Sequence, residues 1–123
     1  MKIAVVGAGS WGTTLAGLLA DKGLAASLWV REPELASIIR RTGENSWFLP
    51  QVQLPEQLEV STDLGSVVSE ARYVLMAVPC QFLRQVLRQV GEHLPPKPVI
   101  VCCSKGIETD TLKPMSGVVW DEL

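Results

Sequence analysis

The sequence predicts an α/β fold: a doubly wound, mainly parallel sheet of five or more strands with helices on both faces. Three observations predict it. Apolar runs without polar alternation at residues 3–6, 26–30, 73–78 and 99–103 read as strands covered on both sides. Segments of helical period separate these runs, so strand and helix alternate, and right-handed crossovers then give the strand order 3-2-1-4-5. Finally, 123 residues suit one domain, and 47% hydrophobic with 20% charged residues is the balance of a chain with a core, not of a disordered one.

The elements follow in order. After the first strand, Trp11, Leu15, Leu18 and Leu19 share a helical stripe, with Ser10 as the expected N-cap and Gly23 as the stop. Pro33 can open a second helix bearing Leu35, Ile38 and Ile39 on one face. Residues 43–57, with Pro50 and Pro55, form the one long irregular connection, a length that in a compact domain marks a functional or mobile loop. A weaker strand is expected at 58–61. Asp63 can cap a third helix carrying Leu64, Val67, Val68 and Ala71, and Leu83, Val86, Leu87, Val90 and Leu94 mark a fourth, ended by Pro95 and Pro96. Residues 109–123 show neither a helix cap nor a strand pattern, so the chain is expected to stop partway through something larger.

Composition excludes several classes of function. Eleven Lys and Arg against thirteen Asp and Glu give a net charge of −2, and no basic run is interleaved with aromatics, which argues against nucleic acid. No apolar stretch approaches the ~20 residues of a bilayer span. Lys2 and the apolar residues after it resemble the start of an export signal, but Gly7 and Gly9 interrupt the run, so none is read. Three cysteines, two of them adjacent at Cys102 and Cys103, suit reduced thiols in a buried strand, and the cytoplasm is the expected compartment. No metal site is expected: Cys102-Cys103 lacks zinc-ligand spacing, and the lone His93 falls near the end of the fourth helix, where the dipole favours a cation.

Gly7-Ala8-Gly9-Ser10-Trp11-Gly12 has the form G-x-G-x-x-G, directly after a buried strand and opening a helix. In that context Gly7 permits the tight turn, Gly9 lets backbone approach a pyrophosphate, and Gly12 lets helix pack on strand. The helix N-terminal amides would face the phosphates. This Rossmann-type turn predicts dinucleotide binding. At the end of the second strand stands Trp29-Val30-Arg31-Glu32. Arg31 falls where a guanidinium pairs with the 2′-phosphate of NADP, which favours NADP over NAD, while Glu32 within reach of a ribose hydroxyl keeps NAD open. Lys105, at the carboxyl end of the fifth strand, can attract a phosphate or polarise a carbonyl oxygen.

Together with Leu28-Trp29-Val30-Arg31, Asn45-Ser46-Trp47-Phe48-Leu49-Pro50, Ala77-Val78-Pro79 and Ser104-Lys105-Gly106-Ile107-Glu108, the glycine turn resembles the amino-terminal domain of bacterial NAD(P)-dependent sn-glycerol-3-phosphate dehydrogenases. The resemblance implies reversible hydride transfer between sn-glycerol 3-phosphate and dihydroxyacetone phosphate, in the supply of phospholipid precursors. It implies cofactor contacts at Ser10, Trp11 and Arg31, with Phe48 and Pro79 lining the cofactor cleft and Lys105 near both nicotinamide and substrate. In that family a helical second domain supplies the catalytic lysine and most of the substrate-phosphate pocket. Residues 1–123 match only the dinucleotide-binding domain, so the expectation is a fragment, inactive alone, of an enzyme that as a full-length protein is a candidate homodimer. Ser104 and Glu108 are expected to shape the Lys105 loop, Cys80 to be passive, and Trp47 and Trp120 to be candidates for burial against missing partners. Two other readings stay open: the cofactor domain of another reductase, of β-hydroxyacid dehydrogenase or ketopantoate reductase type, and a non-catalytic dinucleotide-sensing module. The first lacks the Phe-Leu-Pro and Ser-Lys-Gly-Ile-Glu pair.

Overall fold

β1 (Lys2–Val6) occupies the middle of a five-stranded sheet in a computed structural model that describes residues 2–123. β2 (Ala25–Trp29) and β4 (Tyr73–Met76) flank it, β3 (Glu59–Ser61) and β5 (Val99–Cys102) close the two edges, and every pairing is parallel. The order β3-β2-β1-β4-β5 is the one the crossover rule predicts. Chain direction reverses its winding between β1 and β4, leaving a crevice above the carboxyl ends of those strands.

Side chains alternate across β1. Ala4 and Val6 enter a core under α3 (Leu64–Val68), α4 (Leu83–Gly91) and α5 (Met115–Glu122), built on Val74, Met76, Leu83, Leu87 and Val118. Val5 enters the opposite core under α1 (Ser10–Asp21) and α2 (Pro33–Thr42), with Leu28, Val30, Leu35 and Ile39. Each fully buried Leu or Val contributes roughly 1.5–3 kcal/mol relative to exposure.

Local chemistry sets the helix ends. Pro33 stands in the first turn of α2, and Gly43 closes it in the left-handed region at φ 74°. Gly23 stops α1 at φ 83°. Asp63 Oδ1 accepts from Ser66 N at 3.4 Å as the expected cap of α3. Ser10 is not the cap of α1, however. Gly9 holds that position in extended backbone, no side chain satisfies the first turn, and Ser10 is the first helical residue.

The buried face of α1 also differs from the expected stripe. Gly12, Thr13, Ala16, Gly17 and Ala20 are buried, whereas Trp11 and Leu18 are each 52% exposed. Periodicity ranks side chains by apolarity, but close approach of helix to sheet selects small ones. The expectation of strands covered on both faces holds for β1 and β2 and fails for β5. As an edge strand it turns Ile100 and Cys102 inward and leaves Val99 and Val101 each 38% exposed. β4 ends at Met76, not at residue 78. In the stretch without sequence pattern lies α5, preceded by Pro114 and anchored by Met115 and Val118.

Candidate functional site

The crevice has a volume of about 780 Å³. Residues 7–11 form its floor, Trp29, Arg31 and Glu32 one wall, residues 77–80, Phe82 just before α4, and Gln85, Val86 and Gln89 of α4 the other. Phe48 reaches it from the long connection and residues 103–105 from the end of β5. The structure thus brings Gly7, Gly9, Ser10, Trp11, Arg31, Phe48, Pro79 and Lys105 to one cavity. Gly12 lies beneath the floor and does not line it.

The three glycines separate by cause. Gly7 sits at φ 118°, and a Cβ there would meet the Ala77 carbonyl oxygen at 2.7 Å. A Cβ on Gly12 would strike the Gly7 carbonyl oxygen. Both are therefore glycines because the chain crosses itself there. At Gly9 φ is −71°, and a Cβ would meet nothing within 4 Å. The fold needs no glycine at that position. Its bare backbone instead opens onto the crevice, leaving the space that a Cβ would fill. This is the fit expected of a floor that receives a pyrophosphate at the unsatisfied end of a helix.

Charge in the crevice runs against the chain's net −2: Arg31 and Lys105 face Glu32 alone, and neither cation has an ion-pair partner among the described residues. The Lys105 loop is held at several points. Ser104 Oγ is within hydrogen-bond distance of Val78 O at 2.6 Å and Met76 O at 3.3 Å. Gln81 Nε2 donates to Ile107 O at 3.2 Å, and Gln81 Oε1 accepts from Thr109 N. Arg84 forms a two-pronged pair with Glu108, Nε to Oε2 and Nη2 to Oε1, each 2.9 Å. Hydrogen bonding from Arg84, then from Thr111, pulls the Glu108 carboxyl down to about 2. The shaping role expected of Ser104 and Glu108 is what these bonds perform.

Several crevice residues carried no sequence assignment. Trp29 was part of the strand-end motif, but its ring comes to the wall because its Nε1 donates to Thr62 O at 3.0 Å. Phe82, Gln85 and Gln89 show no motif; only the helical spacing of 82, 85 and 89 hinted at a shared face. Cys80 and Cys103 also line the cavity, and burial followed by the neighbouring Cys102 pushes the Cys103 thiol up, away from thiolate reactivity. His93 lies beside Gly65, outside the wall. Among the described residues no three His, Cys, Asp or Glu side chains converge as a metal site. Nor is any helix long and apolar enough to cross a membrane. Trp47 and Trp120 are exposed.

Sheet order, glycine turn and crevice define a Rossmann-type α/β domain with its ligand cleft at the switch point. The family of that domain is also shown. Residues 2–123 match the model of the NAD-dependent glycerol-3-phosphate dehydrogenase N-terminus, and the chain belongs to this family. It is 54% identical over all 123 residues to a glycerol-3-phosphate dehydrogenase [NAD(P)+] of Solidesulfovibrio magneticus, covering 37% of that protein. A crystal structure of the glycerol-3-phosphate dehydrogenase of Coxiella burnetii superposes with a TM-score of 0.92 at 32% identity, covering 99% of this chain and 37% of that one. The enzyme of Saccharomyces cerevisiae gives 0.88 at 30% identity, covering 100% and 39%. The chain thus spans little more than a third of the length of these relatives. Family membership sets aside the β-hydroxyacid dehydrogenase and ketopantoate reductase readings.

Proposed function

We propose that residues 1–123 act as the dinucleotide-binding domain of an oxidoreductase that interconverts sn-glycerol 3-phosphate and dihydroxyacetone phosphate. The observation that carries this reading is Gly9, a glycine the fold does not require, on the floor of a crevice bearing Arg31 and Lys105, neither ion-paired among the described residues. The activity is that for which the relatives are named, and NADP or NAD is the cofactor that fits the residues present. Bound there, the nicotinamide would accept a hydride from glycerol 3-phosphate or, in its reduced form, donate one to dihydroxyacetone phosphate.

The chain's own groups then bind and orient. Gly7, Gly9, Ser10 and Trp11 present backbone to the pyrophosphate, with Gly12 holding the helix close beneath them. Arg31 pairs with a 2′-phosphate. Phe48 and Pro79 close the cleft over the cofactor. Lys105 places an ammonium where a substrate phosphate or a carbonyl oxygen gaining negative charge would meet it. We also propose a cytoplasmic setting, supported by three free cysteines, and for the longer protein a homodimer, which sedimentation of that protein tests.

Calorimetric titration tests the reading. NADPH binds, and Gly9→Val loses most of that affinity while its circular dichroism stays that of the parent, because two methyls then occupy the open floor. NADPH binds about tenfold to a hundredfold more tightly than NADH, the range of one hydrogen-bonded charge pair. Arg31→Ala removes that preference and leaves NADH binding nearly unchanged. Absence of binding by the parent chain would overturn the domain assignment, and equal affinities would overturn the NADP preference alone.

A further inference from the structure

We infer that Asn45 is a positioning residue for the cofactor floor: it aims the Gly9 amide into the crevice and ties that aim to the placement of Phe48. The inference rests on the dinucleotide reading above and adds a residue to it. Asn45 is 0% exposed and one of few buried polar side chains. Its Nδ2 donates to Ala8 O at 2.9 Å and to Thr13 Oγ1 at 2.8 Å, and its Oδ1 accepts from Phe48 N at 3.1 Å. Its own carbonyl accepts from Leu49 N at 2.8 Å. One side chain therefore joins the glycine turn, the first turn of α1 and the loop that carries Phe48.

The bond to Ala8 has a directional consequence. The Ala8 carbonyl and the Gly9 N–H belong to one planar trans peptide unit, so they point in opposite directions. With the carbonyl held by the buried Asn45, the Gly9 N–H faces the other way. It has no backbone acceptor among the described residues. An anion over Gly9 would receive that N–H, and rotation of the peptide would withdraw it. Phe48 is fixed through the same amide side chain, so loosening either end loosens the other. Asparagine alone suits the position among residues of its size: it offers two N–H donors to two acceptors and one oxygen to a donor. Aspartate of the same shape would set a lone pair against the Ala8 carbonyl.

The test compares the parent chain with Asn45→Asp and Asn45→Ala at a temperature where circular dichroism shows each folded. The probes are NADPH and adenosine 2′-monophosphate, which carries the phosphate read by Arg31 but no pyrophosphate. Both variants lose about tenfold or more in NADPH affinity, the scale of an aimed hydrogen bond to a charged group, and keep the affinity for adenosine 2′-monophosphate. In the ligand-free variants the Phe48 and Leu49 amides exchange hydrogen faster than in the parent. In a double-mutant cycle, Phe48→Ala and Asn45→Ala lose less NADPH affinity together than the sum of their separate losses. Equal losses for both probes would reduce Asn45 to a structural residue, and unchanged NADPH affinity would remove its role while leaving the dinucleotide reading intact. A parent chain that binds neither NADPH nor NADH would instead overturn that reading, and this inference with it.

Discussion

At Gly12 the obstacle to any side chain is a backbone carbonyl, that of Gly7, and backbone cannot swing aside as a side chain can. Gly12→Ala should therefore cost about 1–3 kcal/mol, the range for overpacking. Gly7→Ala adds an unfavourable φ to the contact with Ala77 and should destabilise at least as much. Gly9→Ala should stay within about 1 kcal/mol of the parent, since its φ is ordinary and the space is empty. Urea unfolding of the three variants checks this, and a Gly9→Ala variant as unstable as the other two would undo the division between fold and ligand glycines. Spacing alone made all three glycines legible but could not sort them, because Gly7 is decided by the distant Ala77 carbonyl and Gly12 by how the turn folds back onto Gly7, and neither is written in the spacing. Asn45 stands in the Asn-Ser-Trp-Phe-Leu-Pro motif with nothing in its neighbours to mark a role. Its side-chain partners Ala8 and Thr13 lie 37 and 32 residues away, brought to it by the fold.

Elements were legible where their signal is local and obscure where the fold supplies it. Pro33, Asp63 and the apolar runs marked α2, α3 and β1 because caps and buried strands act on their own neighbours. The face of α1 was misread because Ala16 and Ala20 carry weak apolar signals, and they are buried only because the helix sits close to the sheet. α5 was invisible because much of its attachment is ionic. Arg84 of α4 reaches Asp121 and Glu122 as well as Glu108, and Lys113 pairs with Asp121. This clamp joins α4, α5 and the Lys105 loop, and it makes their stability depend on pH. Hydrogen bonds from Arg84 first, then from Thr111, hold Glu108 at about 2, below its ordinary 4.5, while Asp121 and Glu122 are also lowered, chiefly by Lys113 and Arg88. Folded-state carboxyls with depressed values contribute stability that is present above about pH 4.5 and lost as pH falls toward 2. The thermal midpoint should accordingly fall as pH is lowered from 5 to 3. Arg84→Met should lower the midpoint at pH 7 and flatten its acid dependence. An acid slope as steep in Arg84→Met as in the parent would show that other carboxylates govern it.

At the scale of the whole molecule, the crevice above the carboxyl ends of the sheet gathers the residues proposed to hold the cofactor, and among the described residues its cations are Arg31 and Lys105. The relatives named as glycerol-3-phosphate dehydrogenases are much longer, with this chain covering 37% of the Solidesulfovibrio magneticus protein. The 123-residue chain should therefore bind NADPH and yet reduce no dihydroxyacetone phosphate, even with the cofactor saturating. Hydride transfer requires donor and acceptor carbons held about 3–3.5 Å apart, and a single ammonium on a loop cannot impose that geometry on a small, mobile substrate. The role proposed for Lys105 is electrostatic. Ser104, Gln81 and the Arg84–Glu108 pair tie the residues on either side of it to the end of β4 and to α4, so its side chain starts from a fixed backbone. In a full-length enzyme carrying this domain, Lys105→Ala should leave NADPH affinity nearly intact and depress kcat/KM by about a hundredfold or more, the scale of losing a preorganised charge contact. Lys105→Arg should recover little, because the planar guanidinium is bulkier and spreads its charge over a fork. Stopped-flow measurement of nicotinamide oxidation with each variant reads both the rate and the cofactor affinity. Turnover by the bare domain would show its chemistry to be self-contained, and near-parental kinetics in Lys105→Ala would return that lysine to the role of a solvated loop residue.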